Sequence, residues 1–243
     1  MSQLISLISL SVKPECRPQA ASNGTATVGQ VHAMSEIVRD YPEQVLDPFP
    51  DGPDWTMHAK TPSVEACREM WSVWEMPEHI QTHSLLVTRV ALTIAEMVQS
   101  AILPALEIDH VRAAAMLHDV AKFYTIRHGG SHSQIGAAWV QERTGNPVVA
   151  RAVLHHVDWP FPMDLQRYPV SLVVCYSDKR VRHTEIVSLD ERFADLQERY
   201  GMNAKARQHI QQSLEQGRAI ERLLSKALKV EFDAYSFDSW RLV

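Results

Sequence analysis

Residues 113–123 read Ala113-Ala114-Ala115-Met116-Leu117-His118-Asp119-Val120-Ala121-Lys122-Phe123, a small, apolar run interrupted by an imidazole and a carboxylate. Alanine and leucine favour helix, and the alanines let a second helix come close. A buried polar group without a partner costs roughly 2 to 7 kcal/mol. The stretch therefore predicts a helix whose His118 and Asp119 share a buried partner, for which a metal ion is the simplest choice. Neighbouring helix positions point about 100° apart, but a short Asp and a flat His can still converge on one ion. Asp109 is placed to cap this helix, which carries Val111, Ala114, Ala115, His118 and Lys122 on the way to the next turn.

Working outward, the flanking segments repeat the same theme. Upstream, 77–101 sets Ile80, His83, Val87, Val90, Ile94 and Val98 at three- and four-residue steps, so His83 falls on an inward stripe. Before it, a short helix is expected to begin at Pro62 and to turn Ala66, Met70, Val73 and Trp74 to the core. Downstream, Gly129-Gly130 makes a turn and Ser131 caps a helix that starts with His132. Pro147 opens an apolar helix ending in His155-His156, and Pro169 opens another with Val170, Val173, Val174, Ser177 and Asp178 on one side. Ser188-Leu189-Asp190-Glu191 has the form of a capping box, and 203–229 is a long amphipathic helix. No segment reads as a convincing strand, so the fold class is all-α.

Composition limits the function. A chain of 243 residues is long enough for one large core, and a net charge of -5 argues against a grip on nucleic-acid polymers. Its three cysteines, Cys16, Cys67 and Cys175, form neither a disulfide framework nor a zinc-finger spacing, which points to a reducing cytoplasm. Neither an export signal nor a membrane span is read, and no feature sets an oligomeric state. The first fifty residues mix Ser, Asn, Gly, Thr and Pro with little periodicity and read as a mobile lead-in.

His83, His118-Asp119, His132, His155-His156 and Asp178 thus fall on separate helices, each on a face expected to turn inward. Their order, His, His-Asp, Asp, resembles the HD-domain superfamily of metal-dependent phosphohydrolases. The contexts that carry the resemblance are His118-Asp119-Val120-Ala121-Lys122 and Ser177-Asp178-Lys179. His132-Ser133-Gln134-Ile135-Gly136-Ala137 and Leu154-His155-His156 are similar to segments of the two-metal branches. The resemblance implies an HD-type helical bundle over 56–243, with 1–55 as a mobile N-terminal extension. It further implies one metal on His83, His118, Asp119 and Asp178, with Asp119 bridging to a second on His132 and His155; His156 is a further ligand or a substrate contact. After the histidine pair the chain reads Val157-Asp158-Trp159-Pro160, without the Gly-Tyr-Pro signature of the cyclic-dinucleotide branch.

Imidazole with a few carboxylates suits a divalent transition metal: Fe, Mn, Ni, Co or Zn. Such a centre polarises a phosphoryl group and activates water. Asp119 and Lys122 are the expected catalytic residues, with Lys122, Lys179 and Arg180 as contacts to a small phosphorylated substrate such as a nucleotide. Tyr124, Trp139 and Trp159 are candidates to stack a base, with core packing the favoured role of Trp139. The alternatives are an HD-superfamily di-iron oxygenase and a one-metal nucleotidase.

Overall fold

The computed structural model describes residues 60–233 together with Tyr235 and Phe237. The extension expected over 1–55 lies outside these residues, as does the first part of the domain expected from 56. What is described is all-α, with one small hairpin.

Helix α2 (Glu78–Ala101) runs through the centre. Its stripe of Ile80, His83, Ser84, Val87, Val90, Ala91, Ile94, Ala95 and Val98 is buried, as the period of 3.6 requires of a helix covered on one side. Against it lie α3 (Ile108–Leu117) and α7 (Pro169–Lys179), and α6 (Pro147–Leu154) packs on both of these. Helices α3, α6 and α7 are apolar on nearly every face, which suits elements surrounded by others. Outside this core, α5 (His132–Thr144) packs on α6, and α1 (Val64–Val73) on α3. Helix α8 (Leu189–Tyr200) lies on α9 (Ala204–Leu228), which also packs on α7 and buries Ile210, Gly217, Ile220 and Leu224.

Most punctuation follows the residue chemistry. Asn146 caps α6 through its side-chain oxygen, which accepts from the Val148 and Val149 amides, and Pro147 takes the first helical position. Ser131 caps α5, and Ser188 with Glu191 forms a complete capping box on α8. Gly129 and Gly130 adopt φ of 79° and 97°, a region that glycine enters without steric cost, and so turn the chain between α4 (Lys122–His128) and α5.

Three expectations are corrected. The first helix begins at Val64 with Ser63 as its cap, not at Pro62, and it buries Cys67, Met70 and Trp71 while Val73 is 66 % exposed. The Trp71 indole N–H finds the Met116 carbonyl at 2.9 Å, and this bond turns that side of α1 inward. Glu107 rather than Asp109 precedes α3; Asp109 lies in the first turn and pairs with Arg112. Finally, His118, Asp119 and Lys122 do not share one helix. Helix α3 ends at Leu117, the chain turns through 118–121, and Lys122 opens α4. The amides of Val120 and Lys122 bond back three residues, to Leu117 and Asp119, so the i to i−4 ladder is interrupted there. The hairpin was not expected either: β1 (Val181–Arg182) pairs antiparallel with β2 (Glu185–Ile186) around a two-residue turn.

Candidate metal centre

The turn at 118–121 presents an imidazole and a carboxylate that a continuous helix would have pointed apart. Asp119 is 1 % exposed, and its two oxygens face different partners. Oδ2 lies 3.5 Å from His118 Nε2, 3.9 Å from His83 Nε2 and 2.7 Å from Lys122 Nζ. Oδ1 lies 3.4 Å from His132 Nε2 and 3.7 Å from His156 Nε2. Asp178, on the last turn of α7, puts Oδ1 3.0 Å from His83 and 3.5 Å from His118. Two groups therefore have ligand atoms close enough to hold an ion, His83-His118-Asp119 and Asp119-His132-His156, and Asp119 belongs to both. Close approach of α5 to α6 brings His132 within 3.1 Å of His156, Nε2 to Nε2. Gly136 permits that approach, since a Cβ there would meet Val153 Cγ1 at 3.3 Å.

Backbone carbonyls orient three of the rings. A carbonyl can only accept, so His118 Nδ1 carries the proton it gives to Ala115 O at 2.7 Å, and His156 Nδ1 the proton it gives to Val153 O at 2.7 Å. His83 Nδ1 donates in the same way to His183 O at 3.2 Å. In each ring the other nitrogen, Nε2, is left aimed at the carboxylates, which is how histidine is held when it serves as a metal ligand. His118 Nε2 is buried without a hydrogen bond, the carboxylate oxygens standing off at 3.5 Å. An orphaned nitrogen of this kind beside two carboxylates fits a divalent cation.

The charge balance points the same way. Burial would push the His118 pKa down, but the Asp119 and Asp178 carboxylates overcome it and raise it to about 10. Burial likewise opposes the charges of Asp119 and Asp178, yet Lys122 and His118 hold Asp119, and His118 and His83 hold Asp178, well below the usual carboxylate range. Lys122 is raised, again because Asp119 outweighs burial. Burial keeps His132 neutral, its pKa lowered to about 4. Two fixed negative charges thus retain a proton on His118 as well as the Lys122 ammonium; a cation bound among the rings can replace that proton.

Several residues expected at the site lie elsewhere. His155 follows the end of α6 with its ring against Trp159 and Phe161, at centroid distances of 5.7 and 5.1 Å, and not among the ligand groups. The packing of α6 turns the His156 ring to Asp119 and the His155 ring to the aromatic loop, so His156 is the member of the pair in the cluster. Lys179 is 4 % exposed, its ammonium donating to the carbonyls of His156 and Val157 and to Cys175 Sγ at 3.0 to 3.3 Å. Arg180 is 3 % exposed and gives its donors to Val187 O, Tyr176 Oη and Phe232 O. Both cations fasten the interior, because the turn of α7 that brings Asp178 to the cluster carries its successors away from it. Trp159 is likewise buried, and Trp139 stacks on Trp74 at 5.1 Å; of the three rings considered for a base, Tyr124 is the exposed one.

Sequence reasoning missed two contributors. Arg192, on α8, lies near enough to Lys122 that its charge opposes that of the ammonium, and it pairs with Asp195 at 3.6 Å. The His183 carbonyl comes from the hairpin turn. Nothing in the local pattern marks either, because the carbonyl reaches the cluster, and the Arg192 charge acts on Lys122, only through tertiary packing.

Histidines and aspartates grouped closely enough to hold a metal ion make this an all-helical domain with a candidate metal centre. The HD domain family matches residues 80–203, more than half of the chain and a span that includes every member of the cluster; this protein belongs to that family. No curated protein and no solved structure matches it.

Proposed function

We propose that the protein is a metal-dependent phosphohydrolase that cleaves a nucleotide or another small phosphate ester at a two-ion centre. The observation that carries this reading is the shared carboxylate of Asp119, one oxygen turned to His83, His118 and Lys122 and the other to His132 and His156. One ion would take His83, His118, Asp119 and Asp178, and the other Asp119, His132 and His156. When bound, such ions polarise the phosphoryl group and lower the pKa of a water between them.

The chain's own residues do the rest. Asp119 and Asp178 offset the ionic charge. The backbone bonds of His83, His118 and His156 keep their Nε2 lone pairs pointed inward without reorganisation. Lys122, with its side chain 39 % exposed, is the cation at the mouth of the cluster; on release from Asp119 it meets a phosphate oxygen, and Arg192 adds positive charge beside it. Tyr124 offers the exposed ring for a base.

The test is elemental analysis of anaerobically purified protein, followed by a screen of phosphate esters with the metal it carried. Close to two ions per chain and phosphate release from a nucleotide or small ester support the reading. Iron-dependent oxygen uptake without phosphate release would overturn it in favour of an oxygenase.

A further inference from the structure

The hairpin between α7 and α8 meets the cluster through a backbone atom of its turn. Its turn residue His183 has φ of 54°, and among the described residues Thr184 does not share this positive value. In a two-residue turn that place ordinarily belongs to glycine, and histidine is among the few other residues that tolerate it. The base of the hairpin is pinned from both sides. Val187 N–H donates to Arg180 O at 2.8 Å, Arg180 Nε donates to Val187 O at 2.7 Å, and Val181 is fully buried. At the tip, Arg199 of α8 gives a proton to His183 Nε2 at 3.2 Å and is itself paired with Asp195. With base and side chain both held, the His183 carbonyl meets His83 Nδ1 at 3.2 Å.

We propose that His183 is a positioning residue for His83: its left-handed backbone turns a carbonyl onto His83 Nδ1 and so presents the His83 Nε2 lone pair to the metal centre. The inference rests on the reading of His83 as a ligand. Without that acceptor the His83 ring is free to turn, and its Nε2, 3.0 Å from Asp178 Oδ1, loses its aim at the centre.

Two measurements on the full chain test this. In ion-free protein, long-range nitrogen-15 correlation spectra should show His83 Nδ1 protonated; an unprotonated Nδ1 overturns the proposal, whatever the protein hydrolyses. The second measurement is titration with Co2+ of His183→Gly and His183→Val. Glycine keeps the positive φ and the carbonyl, so affinity should stay within about threefold of wild type. Valine, β-branched and disfavoured at positive φ, should weaken binding by about 10-fold or more while leaving helix content unchanged. Equal affinities for the two variants overturn the proposal. If the valine variant fails to fold, His183→Ala takes its place with the same expected order. Wild-type protein that binds no Co2+ would overturn the metal reading, with the nitrogen-15 result still deciding the role of His183.

Discussion

Replacement of His155 by leucine separates two adjacent histidines that the sequence leaves equivalent. His155 is 7 % exposed, its ring stands edge-on to Trp159 and Phe161, and its Nε2 is buried without a hydrogen bond. Burial, helped by the nearby Arg151 charge, lowers its pKa to about 4, against about 6.5 for an unfolded histidine. Between those values the unfolded chain binds a proton that the folded chain does not, so His155 makes stability rise with pH across this window. The contribution is present above about pH 6.5 and is lost as the pH falls toward 4. At about 1.4 kcal/mol per unit the full loss is about 3 to 4 kcal/mol, and about 2 kcal/mol of it is already gone at pH 5. His155→Leu lacks this proton. Packing differences between imidazole and leucine are the same at both pH values and cancel. Urea unfolding of both proteins at pH 8 and pH 5 should therefore show the wild type losing about 2 kcal/mol relative to the variant over that interval. A stability difference independent of pH would refute the reasoning, as would loss of metal from His155→Leu, since that ring would then have been a ligand.

The shared carboxylate makes a contrasting prediction: Asp119→Ala should empty both ion sites, whereas His132→Ala should lower metal per chain by about half, measured by elemental analysis after gel filtration. Unchanged metal in His132→Ala would leave a one-ion centre. Lys122→Ala should keep its metal and lower turnover by about 10- to 100-fold, because the residue is the cation at the mouth of the cluster rather than a ligand. Metal loss in that variant would instead assign Lys122 to holding Asp119. Lys179→Ala should cost about 2 to 4 kcal/mol in urea unfolding, since it strands two carbonyls and empties buried volume beside Gly217, with KM unchanged for the folded fraction. A raised KM without destabilisation would restore the substrate contact expected of it.

Helices, caps and the polar positions of the cluster were legible without coordinates. The 3.6-residue period placed His83 and Asp178 on buried stripes, Ser131 and Ser188 marked the starts of α5 and α8, and Pro147 and Pro169 those of α6 and α7. These signals are local: a cap or an amphipathic stripe is written within one or two turns of chain, and burial of a charged group must be compensated wherever it occurs. The pair His118-Asp119 could be assigned a shared partner on that ground alone.

Tertiary structure decided which atoms meet. Periodicity could not choose between His155 and His156, because both follow the same apolar helix and only the packing of α6 against α3 and α5 sets which ring faces Asp119. It could not foresee that α3 stops at Leu117, since the alanine-rich stretch favours helix throughout, and the turn is held by what converges on Asp119. Charge alone made Lys179 and Arg180 candidates for phosphate; their burial, with donors already taken by carbonyls and by Tyr176, is a property of the assembled core. The His183 carbonyl reaches the cluster, and the Arg192 charge acts on Lys122, from segments beyond Asp178, across distances in sequence that no local pattern encodes. Local free-energy preferences thus specified the elements and marked the buried polar positions, while close packing between elements decided which of those side chains meet in groups that could hold a metal.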